Sequence, residues 1–257
     1  MNEPVALPAD LREALRGIRS MGVITGAGLS AESGIPTYRG KGGLYDDEAE
    51  GDRTVEALSA PTLHADPDRT WRVVAELARR SVDAAPNPGH LALVEIEQAL
   101  DRFVLLTQNV DGLHRAAGSQ NVIDIHGDVL DVRCMSCGHT GRLGPEDVRA
   151  LEAAPSCPAC GGTLRPDAVL FGEMLPTAKV HRLHDELLDR TPDLVLIAGT
   201  TAVFPYIVEP VLEASRRGLA TVEINPEPTD LSPVVGWSLR GPAGVILPQI
   251  AAAIRAG

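Results

Sequence analysis

Aromatic side chains are scarce: three Phe, three Tyr and two Trp make up 3% of the 257 residues, against 44% hydrophobic residues in all. A core drawn from this chain is therefore aliphatic, as in α/β proteins. Basic residues are the minority charge, 23 Lys and Arg against 35 Asp and Glu, for a formal net charge of −12. That balance argues against nucleic acid or an anionic membrane as partner, and suits either a lysine-bearing partner or a plain solvated surface. No run approaches the ~18 apolar residues of a membrane span. The opening MNEPVALPADLREALR lacks a basic segment followed by an apolar one, so a secretion signal is not expected and the expected compartment is the cytoplasm. Internal repeats and low-complexity tracts are absent too. Cysteine is limited to four residues, in two close pairs.

What is present is organised around Met21 to Gly40, MGVITGAGLSAESGIPTYRG. Met21-Gly22-Val23-Ile24 reads as the end of a buried strand and Gly26-Ala27-Gly28 as a tight turn. Leu29-Ser30-Ala31-Glu32-Ser33 then starts a helix that Gly34 and Pro36 cut off. A strand, a glycine turn and a helix start can cradle a dinucleotide pyrophosphate, because glycines admit the phosphates and the helix N-terminus offers free N–H groups. The pattern G-x-G-x-x-A is equally compatible with a plain structural turn.

The rest of the chain alternates helices and strands. Leu7 to Ser20 predicts a short amphipathic helix with Asp10 as its N-cap, and Asp46 to Glu50 a solvated acidic loop. Helices are predicted over Asp68–Arg80, His90–Leu100 and His181–Arg190, with Gly244-Val245-Ile246-Leu247 preceding a closing helix to Ile254. Apolar runs at Phe103–Thr107, Asn121–Ile125, Leu194–Ala198 and Thr221–Ile224 read as strands, each ending in small polar residues. Strands alternating with helices give a doubly wound parallel sheet, whose ligands gather outside the carboxyl ends of the strands.

Cys134, Cys137, Cys157 and Cys160 form C-x-x-C…C-x-x-C with 20 positions between the pairs, the spacing of a closed, structural four-cysteine zinc site. Unligated thiols or a redox pair would use the same residues. His126, at a strand end before Gly127, is either a general base or a satisfied surface histidine. Asn109 and Asp111 either work in a site or cap a turn, and His114 reads as structural. Thr200, Thr201, Asn225 and Glu227 could bind ribose or phosphate, or cap helices; Arg39 could pair with phosphate or lie on the surface.

Taken in order, GAGLSAESGIPTYRG (26–40), TQNVDGLH (107–114), HG (126–127), CMSC, CPAC, FGE (171–173) and NPEPT (225–229) resemble the sirtuins, NAD-dependent protein deacylases. The resemblance covers most of the chain, from Gly26 to about Leu247. It implies a Rossmann-type doubly wound parallel sheet (about 1–40, 86–130 and 166–257) with a smaller lobe made of a helical module (about 41–85) and a zinc ribbon (about 131–165). It implies NAD as a consumed co-substrate and structural Zn2+, with acyl-lysine proteins or peptides as partners of a chain acting as a monomer. The acyl-lysine oxygen would attack C1′ of the nicotinamide ribose, and His126 would then deprotonate the ribose hydroxyls. Asn109 and Asp111 would hold nicotinamide and ribose, and Gln108 would contact the ribose. Gly26, Ala27, Gly28, Ser30, Thr37, Tyr38 and Arg39 would line the cofactor pocket, and Gly199, Thr200, Thr201, Asn225 and Glu227 would serve the adenosine half. Val169, Phe171, Gly172 and Glu173 would line the substrate groove, where a peptide can add as a strand.

Two departures from the family pattern bear on this. Thr201 stands where Ser is common, and Phe204-Pro205-Tyr206 reshapes the turn that follows. Members that prefer succinyl or malonyl groups carry a Tyr and an Arg three residues on, where alignment on Asp66-Pro67 puts Val74 and Leu77. An acidic acyl group then lacks a counter-ion, so acetyl or other neutral acyl groups are expected. The competing readings are an ADP-ribosyltransferase in the same pocket, a non-catalytic NAD-binding or zinc-ribbon module, and, from the glycine turn alone, a nicotinamide-dependent dehydrogenase.

Overall fold

The computed structural model describes residues 6–37 and 48–256; Tyr38, Arg39, Gly40 and the loop expected at Asp46-Asp47 lie outside the described residues. Six strands form a parallel sheet, in spatial order β3 (Val122–Asp124), β2 (Arg102–Thr107), β1 (Ser20–Thr25), β7 (Leu194–Ala198), β8 (Ala220–Ile224) and β9 (Trp237–Leu239). Between β3 and β7 the chain builds a second, antiparallel sheet from β5 (Thr140–Arg142), β4 (Gly127–Cys134) and β6 (Leu164–Ala168), with β4 in the middle.

Successive residues of the central strands point to opposite faces, and both faces are covered. Val23, Leu105, Leu196 and Val222 pack with α1 (Ala9–Gly17), α6 (Pro88–Ala99) and α11 (Ala243–Arg255). Ile24, Val104, Leu106, Val195 and Ile197 pack on the other side with α9 (Thr177–Leu183), its π-helical continuation His184–Asp189, and α10 (Pro205–Arg216). Short helices α2 (Ala27–Ser30) and α7 (Leu113–Ala117) lie just beyond β1 and β2. Helices α3 (Glu48–Ala57), α4 (Ala60–Ala65) and α5 (Pro67–Asp83) come together beside the second sheet, where α8 (Pro145–Arg149) also packs. Trp71 of α5, the one fully buried aromatic of large volume among the described residues, donates its indole N–H to the Leu164 carbonyl at 2.8 Å and so ties this helical section to β6.

Several elements differ from expectation. Pro8 precedes α1, so Asp10 falls inside the first turn, where its carboxylate accepts from the Leu11 N–H and from the Trp237 indole. Glu48-Ala49-Glu50 open α3 and are not part of a loop. Gly244 to Leu247 lie within α11, whose first turn is held by Glu32 accepting the Gly244 N–H at 2.7 Å. The helix expected to 190 passes into π geometry after Leu183. Phe204-Pro205-Tyr206 starts α10, with Pro205 at the first helical position, where its missing N–H costs nothing.

The strand order reverses between β1 and β7, and there the two following turns press together. The Gly26 N–H donates to the Ala198 carbonyl at 3.1 Å and the Gly28 N–H to the Gly199 carbonyl at 2.8 Å. A Cβ on Gly28 would lie 2.8 Å from the Gly199 Cα, and one on Gly199 would lie 2.4 Å from the Leu29 amide nitrogen, with φ already at +63°. The glycines of the 26–28 turn are thus required by backbone meeting backbone, before any phosphate is considered. Gly199→Ala should destabilise the fold by about 2 kcal/mol or more, through steric overlap and a left-handed φ. Urea unfolding would check this, and a variant as stable as the parent would contradict it.

Candidate functional site

Because the six strands are parallel, their carboxyl ends share one edge, and most of the anticipated residues gather on it. Gly26, Ala27, Gly28 and Ser30 follow β1; Gln108, Asn109 and Asp111 follow β2; His126 follows β3; Gly199, Thr200 and Thr201 follow β7; and Asn225 and Glu227 follow β8. Thr37 is described and half-buried, whereas Tyr38 and Arg39 lie outside the described residues.

Beside the glycine turn a buried polar chain runs from β2 to α2. Asn109 Nδ2 donates to the Gly26 carbonyl and to Ser30 Oγ, both at 3.1 Å. Ser30 Oγ in turn donates to Asp111 Oδ2 at 2.7 Å, and Asp111 Oδ1 accepts the Leu113 N–H at 2.9 Å. Burial pushes the Asp111 carboxyl up, and the hydrogen bonds from Ser30 and Leu113 oppose that rise. The turn reading of Asp111 describes one oxygen, which accepts the first N–H of α7, while the other accepts from Ser30.

Below this chain lies a second layer. Thr25 Oγ1 bonds to Thr107 Oγ1 and to His114 Nε2, each at 2.9 Å, and Thr107 Oγ1 accepts the Asn109 N–H at 3.1 Å. His114 thereby supports the strand ends, as its structural reading required. Its ring lies 4.9 Å from that of His90, whose Nδ1 accepts the Asn87 N–H at 3.3 Å. No role was anticipated for His90 beyond opening a helix; Pro86-Asn87-Pro88-Gly89 reads as a helix stop, and the structure has Asn87 and His90 forming a capping box that starts α6. Burial holds both rings neutral, taking His90 down to about 4 and His114 well below the ordinary histidine value, with the neighbouring His90 a lesser cause for His114.

His126 is fixed by its two ring nitrogens. Nδ1 lies 3.0 Å from the Gln108 carbonyl, which can only accept, so Nδ1 carries the proton and Nε2 is left as the acceptor. Nε2 meets the Tyr206 hydroxyl of α10 at 2.7 Å. Burial lowers the imidazole pKa; the bond to Gln108 works against this and the Lys179 charge adds to it, Lys179 itself being paired with Asp124 at 3.0 Å. A neutral imidazole at neutral pH with its basic nitrogen toward a hydroxyl can accept a proton from that hydroxyl.

Toward β8, Gln108 Nε2 donates to Thr200 Oγ1 at 2.9 Å and Asn225 Nδ2 to the Thr200 carbonyl at 2.8 Å, so three anticipated residues order one another. Ala202 follows with φ at +53°, its N–H held by Thr200 Oγ1 at 3.2 Å. Thr201 and Glu227 are exposed, and the Glu227 carbonyl accepts from Arg240 at 2.9 Å. Glu223, another residue that sequence reasoning missed, is buried at the end of β8. It accepts from the hydroxyls of Thr229, Ser232 and Ser238 and pairs with Arg240, which pins the loop over 225–232.

Beyond β6, the Val169 N–H donates to the His126 carbonyl at 2.8 Å, placing 169–173 beside the histidine. Phe171 bridges α4 through the Leu58 carbonyl and the Ala60 N–H, at 2.9 and 3.1 Å. Phe171 and Gly172 are exposed, while Glu173 is occupied by Arg165, with N–O distances of 2.6 and 2.8 Å, and by the Leu170 N–H. Val74 is buried in the core between α5 and the second sheet, and Leu77 packs partly buried against it.

The four cysteine sulfurs lie within 4.8 Å of one another, Cys134 and Cys160 at 3.5 Å and Cys137 and Cys157 at 3.7 Å. The N–H groups of Cys137 and Ser136 point at Cys134 Sγ, and that of Gly162 at Cys160 Sγ. Four converging thiols with amide support fit a tetrahedral Zn2+ with no open position, and His139 is exposed outside the set.

A profile of the Sir2 family matches residues 26–205. The "NAD-dependent protein deacylase 2" of Pseudomonas aeruginosa is 47% identical over 245 residues, which are 94% of this chain and 95% of the relative. A Sir2 homologue mutant in complex with 2′-O-acetyl ADP ribose superposes with a TM-score of 0.87 at 37% identity, covering 97% of both chains. A Sir2–p53 peptide–NAD+ complex superposes with a TM-score of 0.81 at 26% identity, over 97% of this chain and 99% of the other.

Two measurements check the geometry. Chelation should remove about one Zn2+ per chain and lower the melting temperature by more than about 5 °C, since structural zinc carries folding energy; unchanged melting of metal-free protein would contradict the assignment. The buried histidines must charge when the chain unfolds in acid. His90, depressed when folded, adds stability above the unfolded pKa of 6.5 that is lost as pH falls to about 4. The loss from His90 alone should be on the order of 3 kcal/mol. Denaturant midpoints that stay flat from pH 7 to 4 would overturn it.

Proposed function

The chain belongs to the Sir2 family, and on that premise we propose that this NAD-dependent protein deacylase removes acetyl and other uncharged acyl groups from lysine, with His126 as general base. The observation that carries the reading is the convergence, at the β1/β7 reversal, of the Asn109–Ser30–Asp111 chain with a neutral His126.

NAD, when bound, supplies a nicotinamide leaving group and an ADP-ribose acceptor for the acyl group. The residues fit it: the turn at Gly26 to Gly28 that opens α2 for phosphate, amide and carboxylate groups at Asn109 and Asp111 for nicotinamide and ribose, and Gln108, Gly199, Thr200, Thr201, Asn225 and Glu227 for the adenosine side. Ala27, Thr37, Tyr38 and Arg39 complete the pocket wall in this reading. Ser30 holds Asn109 and Asp111 in register, so that neither can turn away without leaving a buried partner unpaired. His126 takes the proton of a ribose hydroxyl, and its bond to Gln108 keeps the acceptor on Nε2. Val169, Phe171, Gly172 and Glu173 receive the peptide, with Glu173 acting through the shape that Arg165 gives its turn. The Cys134/Cys137/Cys157/Cys160 zinc is structural. We read the lobes as the sequence divides them, with the helical module and the ribbon sharing one apolar core. Reduced thiols and an acidic surface fit the cytoplasm.

The apolar setting of Val74 and Leu77 supports the preference for neutral acyl groups, since an acid buried there would lack a counter-ion. Matched acetyl, propionyl, butyryl and succinyl peptides assayed with NAD test this. Acetyl turnover should exceed succinyl turnover by about tenfold or more, the equivalent of one unpaired partly buried charge. Faster succinyl turnover would overturn the preference, and nicotinamide release that needs no acyl-lysine would favour ADP-ribosyl transfer.

A further inference from the structure

We propose that Tyr206 is a relay through which the ribose proton reaches His126, a role that rests on the deacylase reading and adds a residue to it. With Nδ1–H committed to the Gln108 carbonyl, Nε2 holds the one basic lone pair of the imidazole, and the Tyr206 hydroxyl stands on it at 2.7 Å. A substrate proton must either wait for that hydroxyl to leave or pass through it.

The surroundings favour passage. The phenol ring is stacked on Phe204, with centroids 5.4 Å apart and planes 16° from parallel, and it stands edge-on to the imidazole at 6.1 Å. Phe204 meets the same imidazole edge-on at 6.3 Å. Both rings sit at the start of α10, which is anchored by the buried Ile207, Pro210 and Val211. Swinging the hydroxyl away would break the stack, whereas a hydroxyl already donating to Nε2 retains oxygen lone pairs that can accept from a second hydroxyl.

The step balances in one shift. The ribose O–H bond breaks as its proton bonds to the Tyr206 oxygen, and the Tyr206 O–H bond breaks as its proton bonds to Nε2. Tyr206 ends as the neutral phenol, His126 as the imidazolium, and the ribose oxygen keeps the electron pair with which it attacks the acyl carbon. Burial pushes the phenol up to about 12, so it stays protonated between turnovers and does not compete as a phenolate. Lys179, paired with Asp124, is the cationic group facing the imidazole.

The test is Tyr206→Phe, which keeps the ring and removes the oxygen. Acyl-ADP-ribose formation should fall about tenfold or more, the lower range of a lost acid–base function. Exchange of labelled nicotinamide into NAD, which precedes the proton transfer, should stay within about twofold. A proton inventory in mixed H2O and D2O should be curved for the parent, where two protons move, and straight for the variant. In the unliganded protein, 15N NMR should show the His126 Nε2 signal moving toward that of a free imidazole nitrogen, with Nδ1 still protonated. Product formation at the parental rate, a straight inventory for the parent, or exchange and product formation falling together would each overturn the relay. A parent protein that consumes no NAD with any acyl-lysine peptide would instead overturn the deacylase reading, and the NMR result would still stand as the measure of the Tyr206–His126 pair.

Discussion

The contact on which the site depends is backbone against backbone: the turn after β1 lies on the turn after β7 with no side chain between them. Gly28 donates to the Gly199 carbonyl at 2.8 Å, and a Cβ on either residue would enter its neighbour. Such an approach is possible only at the reversal of strand order, where two crossovers leave in opposite directions and open a crevice between them. It closes the floor of that crevice, and the anticipated polar side chains follow the strand ends around it. The packing role of these glycines would be needed even in a protein that bound no nucleotide.

Around this floor the polar groups are arranged so that each restricts the next. Asn109 is held by Gly26 and Ser30, Ser30 by Asp111, Thr107 by Thr25, and Thr25 by His114. In a low-dielectric setting a partly satisfied network is costlier than an apolar one, so the chain is either kept whole or lost. The histidines divide by depth. His90 and His114 are sealed in and stay neutral, while His126 is half-buried with its basic nitrogen directed at a hydroxyl.

Legibility in the sequence followed the length of the signal. The central strands β1, β2 and β7 announce themselves as unbroken aliphatic runs, and the four cysteines fix their own geometry by spacing. Strand β9, three residues ending in Leu239, and the edge strand β5 have too few positions for a period to emerge. Helix α10 was hidden because its first residues, Phe204-Pro205-Tyr206, look like a breaker when Pro sits at the first helical position. At the site, strand-end polar residues pointed to His126, Asn109 and Asp111, but partners supplied from far along the chain did not show. Tyr206 stands 80 positions from His126 and His114 stands 89 from Thr25; no local pattern encodes such pairings. Glu223 was concealed by lying inside an apolar strand, where only the ring of hydroxyls around it explains a buried carboxylate.

The indole of Trp71 offers a last consequence. It fastens α5 to β6 at Leu164, a few residues from Cys160, and its helical section also meets Phe171 through Ser59 and Ala60. The cysteine cluster and the turn at 169–173 are therefore opposite ends of one strut, with a tryptophan as its rivet. A Zn2+ held by the four cysteines would thus stiffen, at a distance, the 169–173 segment beside His126.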